Sequence, residues 1–142
     1  MSATTETRTF TVVTTSVSYC KNITTPALTY TLTQNVNSTG TCFPIAVPHV
    51  VLDCAGYSIN YSQTTQGYGV IVNGSNVTVR NCNITKYSPP ADSYAIYLNG
   101  VYNISVINNT ITTNGSTDHG VYGNVLTYSN LTLNTIVASN GR

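Results

Sequence analysis

Within residues 50–142, apolar residues alternate with small polar ones over runs of three to five positions, and Asn or Gly ends each run. That is the period of a strand, one side chain turned in and the next turned out. No window carries the i, i+3, i+4 spacing of an amphipathic helix. The runs repeat. One phrase appears as Asn76-Val77-Thr78-Val79, again as Asn103-Ile104-Ser105-Val106 and again as Asn130-Leu131-Thr132-Leu133, with equal intervals from each asparagine to the next. A second runs ahead of it as Val70-Ile71-Val72-Asn73, Ile96-Tyr97-Leu98-Asn99 and Val121-Tyr122-Gly123-Asn124, at intervals only slightly shorter. Self-similarity at a period of about 20 to 50 residues marks a solenoid. The dominance of Thr, Val, Tyr and Ile suits a pleated, half-buried surface, and single Asn or Gly corners stand where hairpin turns would otherwise fix the register. The pattern predicts an all-β coil whose strands pair in parallel with their copies one turn on, about 4.8 Å away. In that register Val77, Val79, Ile104, Val106, Leu131 and Leu133 face inward, and Asn76, Asn103 and Asn130 stand in a column up one face.

Residues 1–49 lie outside the repeat and read as an N-terminal arm and cap, with the coils in residues 50–142. The strand-like run from Phe10 to Val17 either covers the first coil or is given to a neighbouring molecule. Residues 26–33 alternate as a strand and residues 35–40 read as a turn. Residues 63–69, 87–93 (with Pro89-Pro90) and 114–119 are looser polar stretches that bulge from a corner of the coil. After Asn134-Thr135-Ile136-Val137-Ala138 there is neither an amphipathic helix nor a charged segment to cover the last turn. That turn should present unpaired backbone groups and an apolar floor, which predicts end-to-end association with copies of the same chain, unless residues beyond Arg142 supply a cap. Head-to-tail contact that does not close gives a filament.

The run Val51-Leu52-Asp53-Cys54-Ala55-Gly56-Tyr57-Ser58-Ile59, then Gly69-Val70-Ile71-Val72, then Asn76-Val77-Thr78-Val79-Arg80-Asn81-Cys82-Asn83-Ile84, resembles the opening coils of right-handed parallel β-helix proteins of the NosD type. Those proteins share the repeat called the carbohydrate-binding and sugar-hydrolase domain. The resemblance covers residues 50–142 and implies a right-handed coil and a periplasmic or cell-surface setting. It implies little about function, because the matching residues are core and corner positions common to enzymes, binders and structural proteins.

Composition narrows the partners. Nine residues are charged, Glu6, Arg8, Lys21, Asp53, Arg80, Lys86, Asp92, Asp118 and Arg142, against about a quarter of the residues in an ordinary soluble domain. Solubility must therefore come from something other than charge. The net charge of +1 and the absence of a basic stripe argue against nucleic acid. No apolar stretch approaches the roughly 20 residues that span a bilayer, and Met1 to Glu6 have neither the basic nor the apolar region of a secretion signal. Four cysteines allow three pairings. Cys20 with Cys42 would tie down the N-terminal segment, and Cys54 with Cys82, one position off the repeat interval, would join successive turns, although two packed thiols account for the second pair equally well. An even count in a surface protein favours disulfides. Without a CxxC pair or His at ligand spacing, neither a metal nor a cofactor is expected.

Asn-x-Ser/Thr occurs at Asn22, Asn37, Asn60, Asn73, Asn76, Asn83, Asn103, Asn108, Asn114 and Asn130, ten of 17 asparagines. Chance would place the motif after about a quarter of them. Corner-tolerant Asn and strand-favoured Thr generate the motif architecturally. Yet Asn22, Asn37, Asn60 and Asn114 lie outside the repeated phrases, which favours N-glycosylation, with glycans in the solubilising role of charge.

Polysaccharide cleavage needs converging carboxylates. Asp92 and Asp118, close to one repeat interval apart, form with His119 the one candidate cluster, and they read as residues of solvated loops; His49 reads as a packing or surface residue. The chain is not expected to be an enzyme. Two functions follow as expectations: an extracellular glycosylated structural subunit, or a carbohydrate-binding module that reads sugar through outward tyrosines such as Tyr97 and Tyr122.

Overall fold

The computed structural model describes residue 5, residues 11–87 and residues 90–139. Strand β1 (Thr14–Val17) precedes the coils. The first coil contains β2 (Thr29–Leu32), β3 (Val36–Asn37) and β4 (Phe43–Ile45), and the second β5 (Val51–Asp53), β6 (Ser58–Asn60) and β7 (Tyr68–Val72). The third contains β8 (Thr78–Arg80), β9 (Asn83–Thr85) and β10 (Tyr94–Asn99), and the fourth β11 (Ser105–Ile107), β12 (Thr110–Asn114) and β13 (His119–Asn124). β14 (Asn130–Thr132) and β15 (Thr135–Ser139) open a fifth. Equivalent strands stack into three walls: β1-β2-β5-β8-β11-β14, β3-β6-β9-β12-β15 and β4-β7-β10-β13. All pairing is parallel, and the molecule is a parallel β-solenoid of about four turns, as the repeat predicts.

Each wall contributes an inward column. Tyr30, Leu52, Val79, Val106 and Leu131 stack on the first wall. Val36, Ile59, Ile84, Ile111 and Ile136 stack on the second. Phe43, Val70, Ile96 and Val121 stack on the third. From Tyr30 to Ile111 these side chains are buried. Each is worth about 1.5–3 kcal/mol against about 0–1 kcal/mol for an exposed ion pair, so the columns hold the fold and the sparse charges do not.

The stack starts upstream of residue 50, because β2, β3 and β4 pair in register with β5, β6 and β7. This first coil is hard to see in the sequence: its corners carry Ala27 and His49 in place of Asn, and it lacks the repeated phrase. Above it lies a roof. Thr14–Val17 pairs with β2 of its own chain, Ile23 bridges Ile45, and Val17 and Ile23 are buried; Phe10 falls outside the described residues. A disulfide joins Cys20 to Cys42, fastening the roof to the first coil, and a second joins Cys54 to Cys82 between coils two and three. Closing loops of this size restricts the unfolded chain by about 3 kcal/mol each.

The third copy of the asparagine phrase departs from expectation. Asn130 pairs with Ser105 and not with Asn103, because the fourth coil is shorter than the third. The stretch from β12 to β13 is shorter than that from β9 to β10, where the chain carries Pro89-Pro90. A shift of two keeps side-chain parity, so Leu131 still sits over Val106, but at the open end it is 46% exposed. Asn130 lies on a strand, outside the Asn76–Asn103 column. Leu133 turns outward at a corner, 80% exposed with φ 56°. Val77, Val79, Ile104 and Val106 are buried as expected.

The corners explain the asparagines. Ala27, His49, Asn76, Asn103 and Tyr128 occupy one column and all have φ between 52° and 59°, a left-handed conformation that Asn tolerates better than other side chains. Asn103 Nδ2 donates to Asn76 Oδ1 at 2.6 Å. At the next corner Asn108 donates to Asn81 at 2.9 Å. Tyr128 is 91% exposed and breaks the first ladder. Tyr128→Asn should extend that ladder and relieve the corner, raising stability by about 1 kcal/mol in denaturant melts; an unchanged or lower midpoint would count against this account of the corners.

Candidate functional site

The third wall carries a cluster of rings on its outer face. Tyr68, Tyr94 and His119 stack in one register column, and Tyr97 and Tyr122 stand in another beside Ile71. Both columns face outward because strict alternation breaks between them: Gly69-Val70 and Ala95-Ile96 are buried pairs, and Gly120-Val121 occupies the same place. The first residue of each pair must be small. A Cβ on Gly69 would meet the Ala95 carbonyl and Ile84, and one on Gly120 would meet Ile136. The bend thus brings five rings together. Tyr94 and Tyr122 stack at 4.8 Å between centroids, Tyr68 and Tyr97 lie 5.2 Å apart, and His119 packs edge-on to Tyr94 at 5.0 Å.

Crowding has a chemical consequence. Desolvation, then the neighbouring Tyr122 and Asp92, push the Tyr94 phenol above its ordinary value, so this ring stays neutral at physiological pH. A cluster of mutually tilted rings with phenol hydroxyls offers aromatic and polar atoms together. Tyr97 Oη donates to Asn99 Oδ1 at 3.3 Å, and Asn99 Nδ2 to Asn73 Oδ1 at 3.0 Å, so an asparagine ladder borders the rings. The sequence points to Tyr97 and Tyr122 but not to Tyr68, Tyr94 and His119, although an aromatic residue followed by Gly or Ala, recurring at nearly the repeat interval, marks all three.

The carboxylates lie elsewhere. Asp118 is not in a solvated loop: it is buried, with Oδ2 2.6 Å from Lys86 Nζ and Oδ1 accepting from the Ser93 N–H at 3.0 Å. Asp92 is exposed, and His119 belongs to the ring cluster, so the three do not converge on a common point. His49 is an exposed corner residue. Asp53 accepts from Arg80 Nε at 2.9 Å, Asn81 Nδ2 at 3.0 Å and the Ala55 N–H at 2.9 Å, which ties coil two to coil three beside the Cys54–Cys82 bridge.

None of the ten sequon asparagines is buried. Asn22, Asn37, Asn73, Asn103, Asn108, Asn114 and Asn130 are exposed, and Asn60, Asn76 and Asn83 half-buried. Several also serve the architecture: Asn60 donates to Asn37 at 2.8 Å and accepts from Thr85. A shallow cleft lies over the second disulfide, lined by Gly56, Asn81, Asn83 and Asn108 among others. Among the described residues no helix is long and apolar enough to cross a membrane, and the two disulfides are compatible with an extracellular setting. No protein-family model, curated protein or solved structure matches the chain. Fold and bonding define the class: a disulfide-bonded parallel β-solenoid.

Burial works to raise the Asp53 pKa, and the hydrogen bonds from Asn81, Ala55 and Arg80 outweigh it, leaving the carboxyl below its ordinary value. Its contribution to stability is therefore present above the unfolded value and lost as pH falls through the folded one. Thermal midpoints should drop as the pH is lowered beneath about 4, and Asp53→Asn should flatten that drop. Parallel curves for the two proteins would show that the Asp53 contacts contribute nothing.

Proposed function

We propose that the chain is an extracellular, N-glycosylated structural subunit, a solenoid of the NosD or carbohydrate-binding and sugar-hydrolase kind, that stacks end to end into a filament or surface layer. The observation that carries this reading is the exposed end of the stack. Among the described residues β13, β14 and β15 each have a neighbour on one side only. Leu131, Leu133, Ile136 and Val137 are 46–80% exposed around them. Such an end is a template for another strand layer. At the opposite end Val12, Val13 and Tyr19 are 54–74% exposed on the N-terminal segment, so apolar side chains are offered by both prospective partners. The second copy, not a closed ring, fits because the two ends differ. The sequon asparagines support the glycoprotein part: all are accessible on a chain with nine charges.

Light scattering and electron micrographs of the 142-residue chain should reveal assemblies that the double variant Leu131→Asp, Ile136→Asp abolishes while circular dichroism stays β-rich. A wild-type chain that remains monomeric at high concentration overturns the reading. Native material should be heavier than the bare 15.2 kDa by several glycans; the bare mass would remove glycosylation from the proposal.

The five-ring cluster favours a second reading, a carbohydrate-binding face. A sugar laid across the cluster would meet aromatic carbon and phenol hydroxyls together. Tyr94→Ala with Tyr122→Ala should then weaken oligosaccharide binding by about tenfold and leave assembly intact. Loss of assembly without a change in sugar binding would assign the rings to subunit packing.

A further inference from the structure

Lys86 and Asp118 are the two buried charged residues among those described. Lys86 follows β9 in the third coil, Asp118 precedes β13 in the fourth, and both side chains are 0% exposed with Nζ and Oδ2 2.6 Å apart. The site is built around the carboxylate. The Ser93 N–H holds Oδ1 at 3.0 Å, and the Ser93 hydroxyl shares a 2.8 Å hydrogen bond with that of Ser62. Gly115 lies so near that any Cβ there would strike the carboxyl group. Two hydroxyls are buried without a hydrogen-bond partner among the described residues, Tyr61 Oη and Thr113 Oγ1. Thr113 follows Thr112, which pairs with Thr85, so it stands one coil above Lys86. Tyr61 is close enough to Asp118 that, after burial itself, the carboxylate's charge helps push its phenol up.

We propose that Lys86 and Asp118 condense to an intramolecular isopeptide bond, a covalent staple between coils three and four. One proton moves from the ammonium to the carboxylate, leaving an amine and a carboxylic acid. The amine lone pair attacks Asp118 Cγ and the C–N bond forms. A second proton leaves nitrogen for the departing hydroxyl, the C–O bond breaks, and one water is released, so the products are an amide and water with no co-reactant. Tyr61 can both accept and donate a proton; it is near enough to feel the Asp118 charge and its hydroxyl makes no hydrogen bond among the described residues, so this relay is assigned to it. Two features favour the step. Opposite charges are costly to keep in an apolar interior, whereas an amide is neutral. The partners are also held in contact by the fold, which replaces a rare encounter with a standing one.

Mass spectrometry of the full chain, produced folded and without glycans, provides the test. With both disulfides allowed for, it should weigh one water less than its 15.2 kDa sequence. After reduction and denaturation, trypsin should fail to cut after Lys86 and should leave a branched peptide joining it to Asp118. Lys86→Arg keeps the charge but cannot condense in this way, so that variant should show the full mass and a lower unfolding midpoint. Tyr61→Phe fills the same space and should reduce the cross-linked fraction severalfold. Full mass with ordinary cleavage after Lys86 in the wild type would leave a plain ion pair and overturn the proposal; complete cross-linking in Tyr61→Phe would overturn the relay.

Discussion

Strand pairing in this molecule always runs to the neighbouring coil, so each turn of chain is held by the turn before it and the turn after. That constraint sets almost everything else. Parallel pairing in register puts like residues over like, and a position suited to its place in one coil is suited to it in the next. The inward columns become continuous ridges of Val, Ile and Leu. At the left-handed corners the same stacking makes amide ladders from asparagines that would otherwise meet only water. It also makes length changes local: a loop can gain or lose residues without disturbing a wall, as the shortened fourth coil demonstrates.

Much of this was legible in the sequence, for a physical reason. Repetition amplifies weak strand signals, and the phrases at Asn76 and Asn103 gave both the wall and the inward set. The Cys54–Cys82 pair was legible because its separation is close to the coil interval, whereas Cys20–Cys42 was placed only as a tie for the N-terminal segment; both bonds form. What failed did so where repetition fails. The first coil was only partly legible: the strand at residues 26–33 shows in the sequence and contains β2, but Ala27 and His49 at the corners hide its membership of the stack. The likeness of Asn130-Leu131-Thr132-Leu133 to the earlier phrase was misleading, since pairing follows the length of the loops and not the resemblance of words. Asp118 looked like a loop residue because a sequence does not reveal that a loop folds inward over a lysine 32 positions earlier.

The side-chain chemistry is concentrated in coil-to-coil contacts. Asp53 and Arg80, Lys86 and Asp118, and the asparagine pairs all link one turn with the next. The aromatic cluster differs, since its rings contact one another across three coils on the outside of the third wall. It depends on Gly69 and Gly120 staying small.

The distribution of cross-links has a mechanical meaning. The roof is bonded to coil one through Cys20–Cys42, coil two to coil three through Cys54–Cys82, and coil three to coil four through the Lys86–Asp118 contact. Between coils one and two the chain relies on backbone pairing and polar contacts such as that of Asn37 with Asn60. Pulled lengthwise, the molecule would not stretch evenly. It would yield first at the seam between coils one and two, leaving coils two to four as a stiffer cartridge that resists extension after the roof and first coil have unravelled.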